Sequence, residues 1–184
     1  MTKNRERRRV WLAAGVAAVA ASAGVAWQLR TGQAPIAGSD PPSRGPASDI
    51  WQQRFPQPGG AELVVSSVRG RPLVLNFWAS WCAPCVKEMP ELDRFHRNFA
   101  THGWQVVGLA IDNEAEVVQF LDRIRVGFPV ALAGVAGIDL MKSFGNDKGV
   151  LPFTMVFDRH GSPVRRHVGE TNYQQLEDWA RGES

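Results

Sequence analysis

Cysteine is nearly absent from this chain: 184 residues carry only Cys82 and Cys85. With no third thiol, a framework of several bridges is excluded and the pair has no internal competitor. There is no second Cys-x-x-Cys and no closely spaced His-x-x-x-His, so a four-ligand zinc site lacks half its ligands. The histidines, His96, His102, His160 and His167, are scattered through polar sequence and read as solvated surface residues. No internal repeat exists, which excludes solenoids and arrays. A basic surplus is missing as well once position is considered. Residues 1–30 hold six of the 21 Lys and Arg and one of the 18 acidic residues, which leaves fifteen basic against seventeen acidic residues beyond them. The overall positive charge therefore reports the N-terminal segment, and nucleic-acid binding is not expected.

What is present is concentrated at Cys82-Ala83-Pro84-Cys85. The apolar run Leu73 to Trp81 precedes it and a segment of helical periodicity follows, so the dithiol falls at a strand-to-helix junction. Two intervening residues, with the second cysteine on a helix, bring both sulfurs within bonding range across one turn. Cys82 falls at the helix N-terminus, where unpaired N–H groups and the positive end of the macrodipole favour a thiolate. Cysteines in such motifs have pKa values lowered from about 8.5 to roughly 3.5–7.5. Cys82 is thus the expected nucleophile and Cys85 the resolving thiol. Pro84 suits a first helical turn, having no N–H to leave unpaired and a φ already fixed for helix entry. A purely structural role is disfavoured, because closing so short a loop removes little chain entropy.

The N-terminus reads as a targeting segment. Lys3, Arg5, Arg7, Arg8 and Arg9 precede an apolar run from Val10 to Ala26 or Leu29. About 20 such residues cross a hydrocarbon core of ~30 Å. The basic cluster ahead of the run keeps the start cytoplasmic and exports the remainder. Two alternatives stay open for this run. It is a retained anchor, with Trp27 at the interface, or a signal cleaved near Ala21-Ser22-Ala23. Residues 31–49, with Pro35, Pro41, Pro42 and Pro46, cannot build a core and read as a semi-extended tether. Residues 50–184 suffice for one domain with one core.

Within that domain strands and helices alternate. Strands are expected at Glu62–Val65, Leu73–Ala79, Gln105–Ile111, Phe128–Leu132, Phe153–Phe157 and Val164–Val168. A helix from Cys82 to about Ala100 carries Val86, Met89, Leu92, Phe95 and Phe99 on one face, with Pro90 expected to kink it. A second, Ala115–Arg125, has a stripe of Val117, Val118, Phe120, Leu121 and Ile124. A short helix spans Ile138–Phe144. Asp158–Pro163 reads as a hairpin turn, and Asn172 caps a last helix with Gly182 just past its end. A βαβ crossover followed by a hairpin and a helix gives an α/β sandwich.

Two separated blocks carry a resemblance. Asn76-Phe77-Trp78-Ala79-Ser80-Trp81-Cys82-Ala83-Pro84-Cys85 with Glu88-Met89-Pro90 is the first, and Gly149-Val150-Leu151-Pro152-Phe153-Thr154 with Val156-Phe157-Asp158-Arg159-His160-Gly161 the second. Together they resemble the TlpA/ResA-type membrane-anchored thioredoxin-like thiol–disulfide oxidoreductases, over roughly residues 58 to 182. The resemblance implies a thioredoxin-like fold with a central mixed sheet flanked by helices, and the family's insert around Phe128–Phe144. It also implies that Leu151-Pro152 is a cis peptide facing the dithiol, with Leu151 offering backbone hydrogen bonds to an extended substrate.

Glu88, three residues after Cys85, shares its helix face. A carboxylate there can take the proton of Cys85 or raise the dithiol pKa by repulsion; family relatives carry an acid at this position. Asn76 stands where cytosolic thioredoxins have a buried acid, and an amide cannot shuttle a proton. Trp81, Ala83 and Pro84 are candidate substrate contacts around the nucleophile. Trp78 is divided between the face of Trp81 and the core. Trp51, Trp104 and Trp179 read as packing residues.

The expected activity is thiol–disulfide exchange, in the direction of reduction, on the periplasmic side of a bacterial inner membrane. No cofactor beyond the redox-active disulfide is required. The resemblance implies disulfide-bearing exported substrates, such as apocytochrome c or copper-assembly proteins, and a membrane electron donor. Oxidation or isomerisation of disulfides is the nearest alternative, since Ala-Pro between the cysteines does not fix a potential. A copper metallochaperone is the alternative from another class, soft thiolates suiting Cu(I).

Overall fold

The computed structural model describes residues 50–182; the expected anchor or signal over 1–30 and the tether over 31–49 lie outside the described residues. Two short strands, β1 (Arg54–Pro56) and β2 (Glu62–Val64), form an antiparallel hairpin with Arg54 opposite Val64. The main sheet comprises β3 (Leu73–Trp78), β4 (Gln105–Ala110), β5 (Val130–Leu132), β6 (Phe153–Phe157) and β7 (Pro163–Val168), in the order β5-β4-β3-β6-β7. β3, β4 and β5 run parallel, with Leu73 opposite Gln105 and Gly108 opposite Val130. β6 is antiparallel to β3, with Leu73 opposite Phe157, and β7 antiparallel to β6. Helices α1 (Ala83–Phe99) and α2 (Glu114–Arg123) make the parallel crossovers, α3 (Ala136–Ser143) links β5 to β6, and α4 (Tyr173–Gly182) follows β7. This is the thioredoxin-like α/β sandwich, a mixed sheet flanked by helices, with β5 and α3 in the position of the insert.

The sequence of β3, Leu-Val-Leu-Asn-Phe-Trp, is buried at every position. Helices cover both faces of a central parallel strand, so such strands are near-continuously apolar. Alternation divides the strand between two cores. Val74 and Trp78 join Met89, Leu92 and Phe95 of α1, Phe120 of α2 and Leu176 of α4. Leu73, Leu75 and Phe77 join Ile50, Trp51, Met141 and Phe144 on the other side. Trp78 is wholly a core residue, its ring 4.8 Å from that of Phe120. It does not share a face with Trp81: the two are three residues apart, an odd spacing that alternation sets on opposite faces, and the strand ends at Trp78. Gly108 makes room for its indole: a Cβ at that position would lie 3.1 Å from Trp78 Nε1 and 3.2 Å from the Phe128 ring.

Local chemistry sets the helix ends. Asn113 Oδ1 accepts from Glu116 N at 3.1 Å and starts α2; Asn172 Oδ1 accepts from Gln175 N at 2.9 Å and starts α4. Such caps satisfy donors that have no intrahelical partner. Asp158 Oδ1 accepts from His160 N and Ser162 N, which fixes the β6–β7 turn.

Several expectations are adjusted. In α2, Val117 and Phe120 are buried but Val118 is exposed, since adjacent helical positions diverge by about 100° and only one side of α2 meets the core. Gly182 is the last residue of α4 rather than the one after it. His96 and His167 are half-buried rather than solvated, His96 against the Phe128 ring and His167 against Trp179.

Candidate active site

The site forms where β3 ends and α1 begins. Cys82 is the N-cap of α1, in extended conformation, and its Sγ accepts a hydrogen bond from Cys85 N at 3.4 Å, with Pro84 in the first turn. The sulfurs are joined as a disulfide, with Cα atoms 5.2 Å apart. The two cysteines differ in access: Cys82 retains 7% exposure and Cys85 none. An incoming sulfur therefore reaches Cys82 first. Trp81, at 70% exposure, stands beside it, and Ala83 and Pro84 are also exposed.

The loop that delivers Cys82 is pinned from β4. Ser80 donates to Asp112 Oδ2 through both its backbone N (3.0 Å) and its hydroxyl (2.7 Å). Asp112 escapes a reading of the sequence because it lies 32 residues from Ser80 and no motif links them.

Leu151-Pro152 is a cis peptide. Register places it: Phe153 pairs with Phe77, so Pro152 lies at the end of the sheet where β3 gives way to the dithiol. Leu151 packs against the cluster that contains both cysteines. Pro152 O accepts from Gly169 N at 2.9 Å, tying this turn to the β7–α4 loop.

Glu88 lies one turn beyond Cys85 and is fully buried, which removes the alternative of a solvated surface carboxylate. Oε1 accepts from Asn76 Nδ2 at 2.8 Å, and Oε2 accepts from Thr171 N at 2.7 Å and Thr171 Oγ1 at 2.8 Å. Asn76 Nδ2 donates also to Thr154 Oγ1 at 3.1 Å. Burial pushes the Glu88 carboxyl above its ordinary value of 4.5; the Thr171 N–H, Asn76 and the Thr171 hydroxyl oppose this by stabilising the anion, and the charge of Glu170 adds to the rise. Lys87 pairs with Glu170 at 2.6 Å on the surface above. Asn76 thus has a definite task, holding the carboxylate that the helix supplies. A reading of the sequence misses the roles of Thr154 and Thr171. Thr154 closes the second motif, whereas Thr171, 83 residues from Glu88, carries no sequence signal.

A slightly exposed cysteine on a helix N-cap, a wholly buried partner cysteine and an adjoining cis-proline on this sheet define a class, the thioredoxin-like thiol–disulfide oxidoreductases. Comparison with known proteins narrows it. Residues 47–179 match the Redoxin family, and the chain belongs to that family. It is 30% identical over 121 residues to the thiol-disulfide oxidoreductase ResA of a Bacillus cereus strain, covering 65% of this chain and 68% of the relative. To ResA of Bacillus anthracis it is 29% identical over 123 residues, covering 66% and 69%. The solved structure of a thioredoxin-related protein from Neisseria meningitidis serogroup B is 28% identical with a TM-score of 0.63, covering 71% of this chain and 98% of that one. These likenesses make the chain a TlpA/ResA-type thiol–disulfide oxidoreductase that carries the Cys82–Cys85 pair.

Proposed function

We propose that this protein reduces disulfides in exported proteins on the periplasmic face of a bacterial inner membrane, to which residues 1–30 attach or deliver it. The observation that carries the reading is the unequal exposure of the two cysteines at the N-terminus of α1. In the reduced domain the Cys82 thiolate attacks one sulfur of a substrate disulfide. A mixed disulfide forms and the other substrate sulfur leaves as a thiolate. Cys85 then loses its proton and attacks Cys82 Sγ, the second substrate sulfur leaves, and the Cys82–Cys85 bond closes. Two electrons have passed to the substrate, and no group beyond the dithiol is needed.

Glu88 is the nearest acid along α1 to receive the Cys85 proton, and its raised affinity for protons suits it to that task. Trp81, Ala83 and Pro84 form the exposed rim on which a substrate rests. Leu151, held in place by the cis-proline Pro152, offers it a backbone edge. Substrates of the apocytochrome c or copper-assembly kind, and a membrane donor that returns the electrons, complete the cycle.

Equilibration with glutathione tests the direction. A potential well below about −200 mV supports reduction, and one near −120 mV assigns oxidation instead. Trapping tests the roles. Cys85→Ser should accumulate mixed disulfides and Cys82→Ser should form none; the reverse pattern would exchange the two assignments.

A further inference from the structure

We propose that the end of the domain remote from the dithiol is a lipid-facing surface, which docks on anionic phospholipid headgroups through Arg69, Arg71 and Arg159. This rests on the reading that residues 1–30 bring the chain to a membrane.

The strand register assembles this surface. Arg69 and Arg71 immediately precede β3, and Phe157, at the other end of β6 from the cis-proline, pairs with Leu73. The β6–β7 turn holding Arg159 therefore comes to the start of β3. Gln105 also pairs with Leu73, which brings in His102 from the loop before β4. Arg71, Arg159 and His102 line one cleft of about 460 Å³. Cys82 follows the opposite end of β3, a strand of six residues, which at about 3.3 Å per residue is roughly 17–20 Å long.

The chain enters the described domain at this same end. Trp51 Nε1 donates to Gly161 O at 3.0 Å, in the turn that holds Arg159. The Arg69 guanidinium lies 5.8 Å from the centre of the Trp51 ring. Ile50 and Trp51, the first described residues, therefore lie at the end that carries these arginines.

Other arginines at this end have an internal explanation. Arg97, Arg123 and Arg181 stand in the last turns of α1, α2 and α4, where cations complement the helix dipole. Arg97 and Arg181 also pair with Asp93 and Glu177. Arg69, Arg71 and Arg159 lie in loops, all three exposed, and none has an acidic partner among the described residues. Asp158, the acid nearest in sequence to Arg159, is committed to its own turn through His160 N and Ser162 N. The dithiol end has the opposite sign: Asp112 follows β4, and Glu114 and Glu116 open α2, while Lys87 and Glu170 cancel as an ion pair. An anionic surface attracts one end of the sheet and repels the other. Docking therefore turns Cys82 and Trp81 toward soluble partners.

The test uses the full chain in lipid nanodiscs, either purely phosphatidylcholine or phosphatidylcholine with phosphatidylglycerol, read by amide hydrogen exchange. A basic residue close to an anionic leaflet strengthens attraction by roughly fivefold, so three contribute roughly a hundredfold. Exchange over residues 66–72 and 158–162 should slow about tenfold or more on the anionic discs. The slowing should vanish at high salt, where the Debye length contracts to about 3 Å, and in the combined variant R69Q/R71Q/R159Q. Equal exchange on both discs, or protection that survives in the variant, overturns the proposal. Co-migration of the chain with the purely phosphatidylcholine discs, followed in the same preparations, reports attachment by residues 1–30 separately. Co-migration without lipid protection defeats the docking alone, and protection on the anionic discs without co-migration on the neutral ones defeats the attachment reading alone.

Discussion

At the scale of single residues the site turns on one buried carboxylate. Glu88 has the proton affinity of a desolvated acid yet receives three hydrogen bonds suited to its anion. The sign of its effect on stability follows. Below pH 4.5 the carboxyl is protonated in folded and unfolded chains alike, and the contribution is fully present. As pH rises the unfolded chain ionises first, so stability falls until pH passes the raised folded value, and then levels. Glu88→Gln should remove this slope from denaturant midpoints measured across the acid range, and should alter the pH profile of Cys82 alkylation. Superimposable profiles for variant and parent would take Glu88 out of the proton path. Thr171→Val deletes one donor to the anion and leaves the N–H. It should cost about 1–3 kcal/mol at neutral pH and extend the falling region to higher pH, both measurable by urea unfolding. The motif made the places of Cys82, Cys85, Glu88 and Pro152 legible, because those depend on spacing along one segment or on resemblance. Asp112 and Thr171 were not, because their partners Ser80 and Glu88 are 32 and 83 residues away and only the folded sheet joins them.

At the scale of elements, periodicity served where a segment is long and one-sided. α1 falls within a residue of its expected span because Met89, Leu92 and Phe95 repeat at helical spacing and all are buried. It failed at β1, three residues with Pro56 at the end, which pair only because β2 folds back on them. It also overfilled the stripe of α2 with Val118, since composition does not say how wide the buried face is. Helix α3 supplies a test in which packing opposes propensity. Gly137 lies within it, and Gly to Ala in a helix ordinarily stabilises by about 1 kcal/mol. Here a Cβ would come to 2.3 Å from Ile111 Cδ1 and 2.7 Å from Ala133 Cβ. The Ile111 terminus can rotate away, but the Ala133 methyl is fixed to its backbone. Gly137→Ala should therefore destabilise by about 1–3 kcal/mol as overpacking does. A gain in the thermal midpoint would show that α3 shifts freely against the β5–α3 turn.

At the scale of the whole molecule, fold and redox potential are linked through one cycle. Closing the Cys82–Cys85 bond in the folded domain differs from closing it in the unfolded chain by the difference in stability between oxidised and reduced protein. Each 1.4 kcal/mol by which the oxidised fold is the more stable makes the domain about 30 mV more reducing than its own unfolded dithiol. The reverse inequality makes it an oxidant. Two features of the structure bear on the balance. The reduced state must hold a Cys82 thiolate at the α1 N-terminus, which favours that state. It must also hold that thiolate near the buried Glu88 carboxyl, one turn beyond Cys85, and like charge there disfavours it. A reductase requires that the second effect prevail. Guanidinium unfolding of the oxidised and the dithiothreitol-reduced protein should then give the higher midpoint to the oxidised form. Glu88→Gln, which removes the buried carboxyl, should narrow the gap. A reduced form that outlasts the oxidised one would reverse the direction of electron flow, leaving the fold, the nucleophile and the family unchanged.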